Sequence, residues 1–173
     1  MASRKNSLTP GITLSNVVIA VGLPGSGKST WFQRHNSNAI SSDAIRRQLI
    51  DNEADQSINA RVFEIVRTLL RHRIELQRPL TYIDATNLTR RERKPYIKMA
   101  RLHNCTVEAL WFDVPLSVCK VRNAARKRVV PEIAMDLMAA RFLPPSIEEG
   151  FDRVTIAEGE PGLPQTSQEE LTN

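Results

Sequence analysis

The 173-residue sequence predicts an α/β fold: a parallel five-stranded sheet flanked by helices, with a helical lid. Three observations lead there. Short β-branched runs alternate with amphipathic segments, the order that gives a parallel sheet with right-handed crossovers. A glycine-rich stretch joins the first strand to the first helix. Polar signals also close the first three strands, at the sheet edge where ligands of such folds gather.

The apolar run Val17–Val21 reads as a buried parallel strand. The next residues, Gly22-Leu-Pro-Gly-Ser-Gly-Lys-Ser-Thr30, satisfy G-x-x-x-x-G-K-[ST], the P-loop pattern. Gly22, Gly25 and Gly27 allow the backbone to curl so that successive N–H groups, Ser26's among them, form an anion-binding nest. A helix from Lys28 to about His35 adds the positive end of its dipole at the same spot. Lys28 supplies a charge for β- and γ-phosphates, and the Ser29 hydroxyl, followed by Thr30, suits Mg²⁺. Nucleotide binding, with ATP and Mg²⁺ as the ligands, is the expectation from this stretch.

A second strand is expected over 38–41, and a helix from Asp43 to about Ile50 with Asp43 as its N-cap. Asp51–Asp55 reads as a polar loop. Ile58, Val62, Ile65, Val66, Leu69 and Leu70 recur at helical spacing within a long helix from Ser57 to about Gln77, which Arg78-Pro79 stops. Leu80–Asp84 is the third strand, Thr89 to about His103 a helix, and Cys105–Phe112 the fourth strand. Pro115 opens a helix expected to reach about Lys127. Pro131 opens another, ended before Pro144-Pro145, and Phe151–Ile156 is the fifth strand.

Residues 1–13 read as a flexible arm, 14–157 as the domain, and 158–173 as a disordered acidic tail. That tail holds four acids and no bases, so the net charge of +5 hides a more basic body suited to a polyanionic partner. No apolar run approaches the length of a membrane span, and the N-terminus lacks the apolar stretch of a signal peptide. Cys105 and Cys119 have no metal-ligand spacing and read as small apolar residues in a reducing cytoplasm. His35, His72 and His103 show no ligand spacing either.

Asp43 and Arg46, one helical turn apart, share a face at the sheet edge that carries the glycine-rich loop. A carboxylate there can take the proton of an acceptor hydroxyl, and the arginine can hold an acceptor's phosphate. Without that loop the pair would read as an N-cap with a solvated arginine. Asp84 ends an apolar strand, the place for an acid that supports Mg²⁺, although it also suits a turn before Ala85-Thr86-Asn87. Within Lys120–Arg128, Arg122 and Arg126 stand four residues apart and share a helical face. Like charges at that spacing repel unless an anion lies between them, which fits a lid closing on a γ-phosphate better than a solvated face. The cluster Arg90-Arg-Glu-Arg-Lys94 reads as a helix-start surface.

Together the P-loop, I-S-S-D-A-I-R, Y-I-D-A-T-N, V-C-K-V-R-N-A-A-R and E-G-F-D-R-V resemble the polynucleotide 5′-hydroxyl kinase family, the P-loop kinase modules of bacterial RNA-repair and phage end-healing enzymes. The resemblance covers about Val17 to Ile156. It implies a P-loop kinase-like fold, with Lys28 and Ser29 on phosphates and Mg²⁺. Asp43 would be the general base for a 5′-hydroxyl of RNA or DNA, Arg46 the ligand of the adjacent phosphate, and Arg122 and Arg126 the lid arginines on ATP. Met1 and the polar tail favour a complete stand-alone kinase over an excised module. Two other readings stay open: a kinase for a small hydroxylated molecule, and an NTP-dependent switch, against which stands the lack of an N-K-x-D motif.

Overall fold

The computed structural model describes residues 15–158. The expected arm over 1–13 and the tail beyond Glu158 lie outside the described residues. Five parallel strands form one sheet: β1 (Asn16–Val21), β2 (Ala39–Ser41), β3 (Leu80–Asp84), β4 (Thr106–Trp111) and β5 (Arg153–Ile156). Their spatial order is β2-β3-β1-β4-β5. β1 therefore sits at the centre, pairing Val18 with Tyr82 on one side and with Glu108 on the other. A strand covered on both faces needs an unbroken apolar run, and Val17 through Val21 are all buried.

Alternation along β1 sorts its side chains between two cores. Val17, Ile19 and Val21 join Val62, Val66, Leu70 and Ile74 of α3 (Asn59–Glu75), together with Tyr96, Ile97 and Ala100 of α4 (Arg90–Leu102). Val18 and Ala20 face the other way, onto Phe32 of α1 (Lys28–Arg34), Leu110 and Phe112. The four-residue repeat of Val62, Val66, Leu70 and Ile74 keeps an apolar stripe on the sheet, whereas Leu69, expected in that stripe, is exposed. A third cluster of Leu23, Leu88, Cys119 and Met135 fastens the glycine-rich loop to α5 (Leu116–Ala124) and α6 (Glu132–Ala140). Both cysteines are buried and unpaired.

Three local expectations give way. In α2 (Ser42–Ile50) the N-cap is Ser41, whose hydroxyl accepts from the Ala44 amide at 3.4 Å, and Asp43 lies inside the first turn. α5 stops at Ala124 instead of running to Lys127, so Arg122 and Arg126 do not share a helical face. Asn123 causes the stop: its side-chain amide donates to the Val130 carbonyl at 2.8 Å, and its oxygen accepts from the Val130 amide at 3.0 Å. These two bonds pin a loop, 125–130, that carries Arg126 and Arg128.

The third correction is Arg93. Read as part of a helix-start surface, it is fully buried. Its Nε and Nη2 donate to both Glu149 oxygens at 2.8 and 2.6 Å, and its Nη1 donates to the carbonyls of Asn87 and Leu143 at 2.9 Å each. Around it, α4 starts with a capping box in which Thr89 and Glu92 satisfy each other's backbone.

Candidate active site

The loop after β1 is built by backbone. Gly25 and Gly27 have φ of +82° and +97°, a region that disfavours any side chain. A Cβ at Gly25 would lie 2.3 Å from the Cys119 carbonyl oxygen, so the loop and α5 approach as closely as glycine permits. At Gly22 a Cβ would meet Ser26 Oγ at 2.8 Å and Phe112 Cβ at 3.0 Å. The segment after β3 holds the loop from behind. The Gly22 amide donates to the Thr86 carbonyl at 3.0 Å, and Asn87, itself at φ +48°, donates through Nδ2 to the Ala20 carbonyl at 2.7 Å.

Lys28 is buried and turned back on its own loop. Its Nζ donates to the carbonyls of Gly22 and Leu23 at 2.8 Å each and meets Ser26 Oγ at 3.3 Å. Burial lowers its pKa to about 8, against the pull of the Asp84 carboxylate. Asp84 ends β3, in register with Ser41 of β2, and burial pushes its carboxyl upward while Lys28 draws it down. Burial thus works against the charged form of both groups, an effect that a phosphate with a divalent cation would offset. Ser29 and Thr30 are exposed at the start of α1.

Asp43 is gripped from two sides. Arg46 Nη1 donates to its Oδ1 at 2.6 Å, and Arg128 Nη1 lies 3.0 Å from its Oδ2. Arg46 is almost fully buried, with Nη2 on Asn59 Oδ1 at 2.7 Å and a longer 3.3 Å contact to the Glu53 carbonyl. Its Nε, also buried, has no hydrogen-bond partner. Arg122, in the last turn of α5, brings a guanidinium nitrogen to 3.8 Å from where a Gly27 Cβ would stand. Arg126, on the pinned loop, is exposed and close enough for its charge to act on both Lys28 and Asp84.

One cleft of about 1610 Å³ gathers Gly25, Gly27, Lys28, Ser29, Thr30, Asp43, Arg46, Asp84, Arg122 and Arg126. Gly22 and Ser26 support its wall from behind. Sequence reasoning assigned no role to Arg128, whose partner Asp43 is 85 positions away, or to Asn123, although both stand in the basic run it singled out. Among the described residues no group of three or more His, Cys, Asp or Glu could cage a metal. Ser29 and Asp84 offer the hard oxygen donors that Mg²⁺ accepts alongside water and phosphate, so the donor set suits a cation that arrives with a nucleotide. Among the described residues, too, no helix is long and apolar enough to cross a membrane.

The chain is similar to known proteins in this arrangement. It is 25% identical over 145 residues to a bifunctional polynucleotide phosphatase/kinase of Schizosaccharomyces pombe, covering 80% of this chain and 32% of that protein. The chain thus spans about a third of that relative's length. Its fold matches a structure of the Pnkp1/Rnl/Hen1 RNA repair complex with a TM-score of 0.61 at 17% identity, over 80% of this chain and 46% of the other. It also matches a gluconokinase from Sinorhizobium meliloti 1021 with a TM-score of 0.52 at 16% identity, over 83% and 82%. The sheet with its P-loop and flanking helices is that of a P-loop kinase-like fold. The family model described as AAA domain (AAA_33) matches residues 17–145, three quarters of the sequence, and the chain belongs to that family.

Proposed function

We propose that the protein is an ATP-dependent kinase that transfers the γ-phosphate to the 5′-hydroxyl of a polynucleotide. The observation that carries this is the placement of Asp43. It is a half-exposed carboxylate in the same cleft as Lys28 and Ser29, backed by the buried guanidinium of Arg46. The fold is shared with a gluconokinase, so it does not choose the acceptor. The choice rests on Arg46, a buried cation suited to a phosphate beside the attacking hydroxyl, and on the kinase named in the fission-yeast relative.

The P-loop amides and Lys28 hold the β- and γ-phosphates, Lys28 exchanging its contacts with loop carbonyls for phosphate oxygens. Ser29 and Asp84 would hold Mg²⁺, which neutralises charge on the phosphates when bound. Asp43 accepts the proton of the acceptor hydroxyl. The hydroxyl oxygen of the acceptor then forms the new bond to the γ-phosphorus as the bond to the β–γ bridging oxygen breaks, and ADP leaves with that electron pair. Arg122 and Arg126, on α5 and the pinned loop, face the charge that develops on the transferred group.

The test offers labelled ATP and Mg²⁺ with a 5′-hydroxyl oligonucleotide, a nucleoside 3′-monophosphate, gluconate and glycerol in separate reactions. The proposal expects label on the first two. Label on gluconate or glycerol alone would assign the cleft to a small-molecule kinase.

A further inference from the structure

Beyond Asp43 the cleft continues, and its walls change character. Asn59, Phe63 and Arg67 follow one another at four-residue spacing on α3, and all three line the cleft. Asn59 holds Arg46 at 2.7 Å, so this face begins at the candidate acceptor site. Two turns further, about 12 Å along the helix axis at 1.5 Å per residue, stands Arg67. Its charge reaches the Tyr96 hydroxyl on α4, which burial pushes up to about 12. One turn back on α4 is Glu92, and Arg141 Nη2 lies 3.8 Å from its Oε1. Arg91 precedes Glu92 and lines the same wall.

Of these cations, Glu92 pairs with Arg141. Its Oε2 is taken by the amides of Leu88 and Thr89, at 2.7 and 3.3 Å, as the cap of α4. Phe63 packs one side against the main core and leaves part of its ring to the cleft. A small alcohol would fill the Asp43–Arg46 end and have no use for an aromatic ring and three arginines beyond it. An aromatic ring followed by guanidinium groups suits a single strand, whose bases stack on rings and whose phosphates take forked N–H donors. At the head of the run the buried Arg46 keeps an Nε without a hydrogen-bond partner.

From this arrangement we infer that the cleft is a track for the first few nucleotides of a single-stranded acceptor. Phe63 stacks a base near the 5′ end, and Arg67, Arg91 and Arg141 hold phosphates further along. The track rests on the polynucleotide reading above and adds to it a preference for length.

The experiment measures KM with ATP and Mg²⁺ for a nucleoside 3′-monophosphate, a 5′-hydroxyl tetranucleotide and an otherwise identical tetranucleotide abasic after its first residue. The wild-type chain should prefer the tetranucleotide over the monophosphate by about tenfold or more, since each stacked base and paired phosphate contributes on that scale. The triple variant R67A/R91A/R141A should lose this preference. Phe63→Leu, which keeps an apolar side chain for the core, should lose the discrimination between the intact and abasic strands, and Phe63→Tyr should restore it. Equal KM for monophosphate and tetranucleotide in the wild type, which needs no variant, overturns the track while the kinase reading stands. So does a preference that survives the triple variant. Transfer to neither nucleotide acceptor overturns both.

Discussion

Two buried arginines anchor different parts of this molecule, and the contrast between them separates scaffold from site. Every guanidinium nitrogen of Arg93 has a partner: a two-pronged bond to Glu149 and two backbone carbonyls, all within 2.9 Å. Glu149 is itself only 4% exposed, so the pair is sealed from water. Arg46 is about as deeply buried, yet its Nε has no partner and its main counter-ion, Asp43, is 46% exposed on a cleft. Burial of a charge alone therefore does not mark a functional site. Incomplete satisfaction of a buried charge, facing a cavity, does.

Substitution should break the two nodes in opposite ways. Arg93→Ala leaves buried Glu149 with only the exposed Arg90, at 4.0 Å, as a counter-charge, a change that costs about 3–5 kcal/mol. At about 2–4 °C per kcal/mol for a chain of this size, thermal melting should fall by about 6–20 °C. Arg46→Ala should cost less, about 1–2 kcal/mol, because Asp43 and Asn59 line the cleft and recover water. Its effect should appear as a raised KM for a phosphate-bearing acceptor, with ATP binding unchanged. Calorimetry of both variants checks the comparison, and equal losses of melting temperature would contradict it.

A smaller effect sharpens the other wall of the cleft. Lys28 has a pKa lowered to about 8 from an ordinary 10.5. Between those values the unfolded chain binds more protons than the folded one, so this group makes the protein more stable as pH rises through that window. A bound polyphosphate favours the charged lysine, so nucleotide affinity should weaken as pH rises above about 8, and binding near pH 8 should take up a fraction of a proton. Titration calorimetry in two buffers of different ionisation enthalpy measures that uptake, and Lys28→Met should abolish it. Identical apparent enthalpies in both buffers for the wild type would contradict the assignment.

Most of the fold was legible because its signals are local. The continuous apolar run of β1, the four-residue repeat of α3 and the glycines of the P-loop each specify their own geometry. What stayed hidden depends on partners distant in the chain. Arg93 sits among Arg90, Arg91 and Lys94, and nothing nearby shows that Glu149 will bury it. Arg128 closes a basic run whose link to Asp43 forms only when the 125–130 loop folds over the cleft. The end of α5 was missed for the same reason: no glycine or proline stands between Asn123 and Val130, and the side chain of Asn123 stops the helix by binding across the loop. The cap of α2 was misplaced between near neighbours, because Ser41 and Asp43 are both short polar residues able to cap.

The central claim is that Asp43 takes the proton of an acceptor hydroxyl. Asp43→Asn keeps the size of the side chain and an oxygen for Arg46 or Arg128, but removes the proton acceptor. The most direct measurement is kcat for phosphate transfer to a 5′-hydroxyl oligonucleotide in this variant, with ATP affinity measured alongside. The account predicts a fall in kcat of about 10²-fold or more with ATP affinity near that of the wild type. A variant that keeps its kcat, or that loses ATP binding and turnover together, would contradict it.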